Sequence, residues 1–275
     1  MRLTIVDVFA ETRYAGNQLA VVRDAAWLDT PRMQAIALEM NFSETTFVVE
    51  QKTGSARVRI FTPDHELPFA GHPTLGTAWV LAEGQPTFAL DLAVGRVPVT
   101  FADDGVAWMA PPEPTLGDEF PRERAAELLC LTADDVEASW PTRFAEVGPK
   151  FLFAPLRSLD ALDRARLDGA VQRRFVADGL PVGGTCAFCF ARGGHSPDAD
   201  FAARMFFQVQ GSVREDPATG SANACFAAYL RERGIARAIV EQGFEMGRPS
   251  RLYLDAGPNL RVGGKVQRVL DGELL

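Results

Sequence analysis

Two stretches of this chain repeat one another, and the repeat limits the fold more than any other feature. Pro68-Phe69-Ala70-Gly71-His72-Pro73-Thr74-Leu75-Gly76-Thr77-Ala78-Trp79-Val80-Leu81 lies over Pro217-Ala218-Thr219-Gly220-Ser221-Ala222-Asn223-Ala224-Cys225-Phe226-Ala227-Ala228-Tyr229-Leu230, 149 positions later. The proline, the glycine, one alanine and the last leucine coincide. The preceding segments agree in kind. Thr46–Val49 and Ala56–Phe61 read as strands, as do Ala187–Phe190 and Ala202–Phe207. Each unit is strand, strand, acidic loop, P-x-x-G, helix. A recurrence of order as well as residues points to duplication. At about 150 residues per domain, 275 residues give about 1.8 domains, and the repeat turns that fraction into two related halves.

The repeated loop has a physical consequence. Its glycine lets backbone approach a ligand closely. The first N–H groups of the following helix have no intrahelical partner and lie at the positive end of the dipole. Such a start suits a carboxylate or another anion. One copy alone is an ordinary helix start. Two copies, each preceded by acids (Asp64 and Glu66; Glu215 and Asp216), point to two starts facing one cleft.

Elsewhere, Leu3–Phe9, Leu19–Val22, Thr45–Val49, Thr87–Leu92, Val97–Phe101 and Val106–Met109 read as strands. Ser250–Leu254 and Lys265–Val269 follow near the end. Helices are expected from Thr30, taken as the cap before Pro31, and over Gly71–Leu81, Ala161–Ala177 and Gly220–Arg233. Pro111 to Pro121 holds four prolines in eleven residues and reads as irregular. It is the expected boundary between domains 1–112 and 113–262.

Composition removes several function classes. Lys and Arg total 28 against 36 Asp and Glu, a net charge of −8, which disfavours a nucleic-acid groove or a polybasic membrane anchor. Only Lys52, Lys150 and Lys265 could form a Schiff base, and none lies in a recognisable motif. Four irregularly spaced cysteines suit a reducing compartment, and no stretch resembles a signal peptide or a membrane span. The expected location is the cytosol. Cys186-Ala187-Phe188-Cys189 has redox spacing, but its apolar strand-like setting fits core thiols better than a redox pair. Asp64-His65-Glu66 with His72 forms no closed metal set, and Thr77 stands where a P-loop lysine would be. His195 lies in a turn-like Gly193-Gly194-His195-Ser196-Pro197. Glu44 lies between a helix exit and a strand, ordinarily a solvated position, yet no other acid or base is better placed for proton transfer.

The chain resembles the phenazine-biosynthesis PhzF-like family, within the diaminopimelate epimerase-like fold. The landmarks are Asp7-Val8-Phe9 with Gly16-Asn17, Asn41-Phe42-Ser43-Glu44-Thr45-Thr46-Phe47, Phe69-Ala70-Gly71-His72-Pro73-Thr74, Glu215-Asp216-Pro217-Ala218-Thr219-Gly220-Ser221-Ala222, and Gln242-Gly243-Phe244-Glu245-Met246-Gly247-Arg248-Pro249-Ser250. The resemblance implies an α+β chain of two pseudo-symmetric domains, each a β-sheet curled around a central helix, with a cleft between them and a last strand near 263–275 returning to the first domain. It implies a cofactor-independent isomerase, holding no metal, that moves a proton between carbons of a small cyclic unsaturated amino or carboxylic acid, dihydro-hydroxyanthranilate-like. Epimerisation or dehydration of a small amino or hydroxy acid, and silent binding of a small acid, are the competing readings. By the same resemblance Glu44 is the general acid/base, and His72 and Asp216 are catalytic partners. Asn17, Ser43, Gly71, Thr219, Gly220 and Ser221 bind substrate, and the protein is a homodimer. The chain also departs from its relatives. Two-thiol racemases of this fold carry cysteine before each loop glycine, where Ala70 and Thr219 stand here. Gln18 replaces a usual proline.

Overall fold

The structure, a computed structural model, describes residues 1–209 and 211–275. The first half of the chain supplies strands β1 (Arg2–Val8), β2 (Asn17–Val22), β3 (Glu44–Lys52), β4 (Ser55–Phe61), β5 (Glu66–Leu67), β6 (Thr87–Leu92), β7 (Gly95–Phe101) and β8 (Ala107–Met109), with helices α1 (Thr30–Met40) and α2 (Gly71–Ala82). The second supplies β9 (Thr115–Glu119), β10 (Arg143–Glu146), β11 (Lys150–Leu156), β12 (Cys186–Arg192), β13 (Phe201–Val209), β14 (Ser212–Asp216), β15 (Arg237–Gln242), β16 (Ser250–Asp255), β17 (Arg261–Gly264) and β18 (Val266–Glu273). Its helices are α3 (Arg122–Leu128), α4 (Leu159–Arg164), α5 (Gly169–Ala177) and α6 (Gly220–Glu232).

The strand pairings show the duplication directly. In the first half β1·β2, β3·β4, β6·β7 and β7·β8 are antiparallel, while β2·β3 and β4·β6 are parallel. In the second, β10·β11, β12·β13, β15·β16 and β16·β17 are antiparallel, while β11·β12 and β13·β15 are parallel. A parallel neighbour needs a crossover. Helix α2 is the crossover from β4 to β6, and α6 is the crossover from β13 to β15. At the outer edge β18 pairs with β1, in the position that β9 holds beside β10. Antiparallel β8·β17 joins the halves into one continuous ribbon.

Both crossover helices lie inside their curled sheets. Nearly every residue of α2 and α6 is buried. A helix apolar on all sides is stable only when enclosed. Gly76 of α2 lets the helix seat on β1 and β2, because a Cβ there would stand 2.6 Å from Val8. In α6, Phe226 and Tyr229 stack on Phe153 of β11 at 6.0 and 5.8 Å between centroids.

Three local expectations are corrected. The Pro111–Pro121 stretch is not wholly irregular: its prolines flank Thr115–Glu119, which are free to donate and form β9. The Ala161–Ala177 helix is two helices, because Asp168 turns its carboxylate onto the N–H groups of Ala170 and Val171 and starts α5 afresh. Asp29, not Thr30, caps α1, accepting from the Arg32 N–H at 3.0 Å.

Candidate active site

The starts of α2 and α6 meet head to head. A Cβ on Gly71 would lie 2.6 Å from the carbonyl carbon of Gly220 and from the amide nitrogen of Ser221. A Cβ on Gly220 would lie 3.0 Å from the backbone of Gly71 and His72. Glycine at both places is thus a condition of contact. Neither helix is capped by a side chain: Ala70 has none to offer, and the Thr219 hydroxyl is engaged elsewhere. Two sets of unpaired N–H groups and two positive dipole ends border one cavity of about 960 Å³.

Asp216, at the end of β14, is buried beside them. One oxygen accepts from Asn17 Nδ2 at 2.9 Å and from Ser43 Oγ at 2.8 Å. The other accepts from Thr219 Oγ1 at 2.6 Å. Burial raises its pKa from the usual aspartate range, and these donors oppose the rise. Asn17, the first residue of β2, also donates to the Ala218 carbonyl and faces His72 Nδ1, so one amide ties the two halves together.

Glu44 opens β3 with its side chain nearly enclosed. Its Oε2 is buried and has no hydrogen-bond partner, and the same holds for Nε2 of His72, 3.4 Å away. Burial first, then the nearby Asp216 charge, holds the Glu44 carboxyl well above the usual glutamate range. Asp216 is the member of this pair with donors to stabilise its charge, so a proton shared between the two rests on Glu44. Burial pushes His72 down to about 3, against a smaller opposing pull from the Gln18 backbone. Its ring is therefore neutral, and its approach to Glu44 is not an ion pair.

The His72 pKa gives a direct expectation. The folded protein refuses a proton that the unfolded chain accepts, so this histidine lowers stability as pH falls from about 6.5 toward about 3. In ¹⁵N NMR the His72 ring should keep its neutral signature through the ordinary histidine range. A ring that titrates there would contradict the burial.

All nine residues expected at the site border this one cavity: Asn17, Ser43, Glu44, Gly71, His72, Asp216, Thr219, Gly220 and Ser221. His65 also borders it, at an exposed position, whereas His195 is exposed outside it and stacks on Phe244 at 4.0 Å. Cys186 and Cys189 fall on opposite faces of β12, three residues apart on a two-residue period, which separates the thiols. Cys186 borders the cavity, but burial pushes its thiol up to about 12. Ala70 and Thr219 leave no thiol at either helix start.

Two supporting residues lay within the quoted motifs without a role. Gln242 donates to the Asp216 carbonyl at 2.8 Å and accepts from Thr219 N–H at 3.2 Å, holding the loop between them. Arg248 donates to Asp7 at 2.7 Å and to the Ala15 and Gly16 carbonyls, fixing the turn that presents Asn17. Their partners are remote in sequence, and only the pairing of distant strands reveals them.

The fold is of the two-lobed, epimerase-like build, and the relatives of this chain place it among the isomerases. The chain belongs to the family described as phenazine biosynthesis-like protein, whose model matches residues 6–272. It is 38% identical to trans-2,3-dihydro-3-hydroxyanthranilate isomerase of Pseudomonas aeruginosa, over 93% of this chain and 90% of that one. It is 37% identical to an uncharacterised isomerase of Mesorhizobium japonicum, over 98% and 97%. A PhzF-family crystal structure from Bacillus anthracis matches with a TM-score of 0.87 over 100% and 99% of the chains; at 24% identity it speaks for the fold.

Proposed function

We propose that this isomerase moves a proton between two carbons of a small cyclic unsaturated amino or carboxylic acid, with Glu44 as general acid and base. The observation that carries the reading is the partnerless pair of polar atoms, Glu44 Oε2 and His72 Nε2, buried beside two uncapped helix starts. The substrate carboxylate lies against the N–H groups at Gly71–His72 and Gly220–Ser221. The Glu44 carboxylate removes a proton from one ring carbon, and the electron pair spreads into the unsaturated system. Glu44 then returns the proton to a second carbon, so atoms and charge balance without an external donor. Neutral His72 and ionised Asp216 hold the ring, with Asn17, Ser43 and Thr219 holding Asp216. The named activity of the Pseudomonas relative supports a dihydro-hydroxyanthranilate-like substrate. The strand map supports lobes at 1–112 with 263–275 and at 113–262, and the reading carries with it a cytosolic homodimer.

The test is the pH dependence of turnover on trans-2,3-dihydro-3-hydroxyanthranilate, followed by NMR. A base must be ionised, so kcat/KM should rise with pH, with an apparent pKa well above 4.5 that belongs to the Glu44–Asp216 pair. Absence of turnover, or a profile already flat near 4.5, would count against Glu44 as the base.

A further inference from the structure

The cavity is larger and more varied than a single-ring acid requires. About 960 Å³ lies at the upper end of the roughly 300–1,000 Å³ that houses drug-sized ligands. The nine site residues discussed above are buried or half-buried in its lining. Its wall continues past them to Arg173 and Val176 of α5, Phe207 and Arg214 of the β13–β14 hairpin, and Met246. Val176 and Met246 are large apolar side chains exposed at 48% and 38% beside this opening.

The two arginines differ from their neighbours. Arg174 pairs with Glu127, and Arg204 grips Glu215 through two contacts of 2.8 and 2.7 Å. Among the described residues, Arg173 and Arg214 have no carboxylate within ion-pair distance. Ten arginines among the described residues form no ion pair, and two of these, Arg173 and Arg214, border the cavity. Arg214 is two residues before Asp216 on β14 and so starts from the same strand face as the site carboxylate. Nη1 of Arg173 and Cγ2 of Val213 come within 3.5 and 3.4 Å of where a Cβ on Gly169 would stand, so Arg173 lies beside the Gln208–Val213 pair of the same hairpin, one register step from the Phe207–Arg214 pair. Two further cations border the cavity: Lys150 is occupied by the Pro181 carbonyl and the Phe144 ring, and Arg248 by Asp7 and the Ala15 and Gly16 carbonyls.

We propose that the outer cavity is a second anion subsite, formed by Arg173 and Arg214, and that the substrate is an elongated acid with a carboxylate at the helix starts, an apolar body along Val176 and Met246, and a second oxyanion on the two guanidiniums. Planar guanidiniums suit carboxylate and phosphate alike. The inference rests on the proposed carboxylate site at the helix starts but not on Glu44 chemistry.

The test is calorimetric binding of 4-alkylbenzoates of increasing chain length, beside counterparts ending in carboxylate and in phosphate. At one chain length an anionic end should tighten Kd at least about tenfold over the methyl end, which is about 1.4 kcal/mol. The end group with the larger gain identifies the oxyanion. Arg173→Gln with Arg214→Gln should erase that gain, each single change should erase part of it, and binding of the methyl-ended acids should stay unchanged. The inference is overturned if no anionic end improves binding, if the gain survives the double substitution, or if no member binds. The first two outcomes leave the proton-transfer reading standing, while failure of plain benzoates to bind counts against the helix-start carboxylate site itself.

Discussion

Glu44→Gln is expected to lower turnover by about 10²–10⁴-fold while leaving the fold intact. Glutamine keeps the shape of the side chain and removes the base. The accompanying stability change has a definite sign. The carboxyl is buried with Oε2 unpartnered, and its pKa in the folded protein is held well above 4.5. Between the unfolded and folded pKa values the native state holds a proton that the unfolded chain has lost, so wild-type stability falls as pH rises through that window. A neutral glutamine escapes this loss. The variant should therefore match or exceed the wild-type Tm near pH 4.5, and its advantage should grow as pH rises. Loss of activity together with a lower Tm at every pH would instead mark Glu44 as a structural residue.

Gly71→Ala carries the second large effect. The added methyl would stand 2.6 Å from backbone atoms of Gly220 and Ser221, and backbone cannot rotate aside as a side chain can. Overpacking of this kind costs about 1–3 kcal/mol, occasionally more. Relief requires α2 and α6 to separate, which would also displace His72, Ser221 and the N–H groups between them. Stability and turnover should fall together. Gly220→Ala should show the same pattern more mildly, since its closest approach is 3.0 Å. Thermal unfolding and kcat/KM of the two variants check the ordering. A Gly71→Ala protein with wild-type Tm would show that the helix starts do not touch.

Local chemistry explains which parts of this structure are legible in the chain. The P-x-x-G repeat and the enclosed apolar helices after it identify α2 and α6 to within a residue or two, because glycine, proline and helical periodicity act over short range. The same repeat implies the paired helix starts. Strand β9 is hidden by the prolines around it, and β17 is a four-residue segment that pairs with β8 in the other half of the chain. The site divides in the same way. Gly71, His72, Gly220 and Ser221 follow from the repeat, whereas Glu44, Ser43 and Asn17 carry no periodic signal: Glu44 is reached by weighing the available acids and bases, and Ser43 and Asn17 enter only through the family resemblance. Their meeting at Asp216 depends on contacts spanning 173 and 199 residues. Arg173 and Arg214 belong to no motif, and only the cavity wall brings them together.

The central claim, that a proton leaves one carbon and returns to another through Glu44, is tested most directly by the position of deuterium after turnover in D2O. With trans-2,3-dihydro-3-hydroxyanthranilate, or the acid that this enzyme prefers, the wild-type protein should give an isomerised product labelled at the newly protonated carbon, and Glu44→Gln should give none. Label confined to the α-carbon of an otherwise unchanged substrate, or an undiminished yield of labelled isomer from Glu44→Gln, would contradict it.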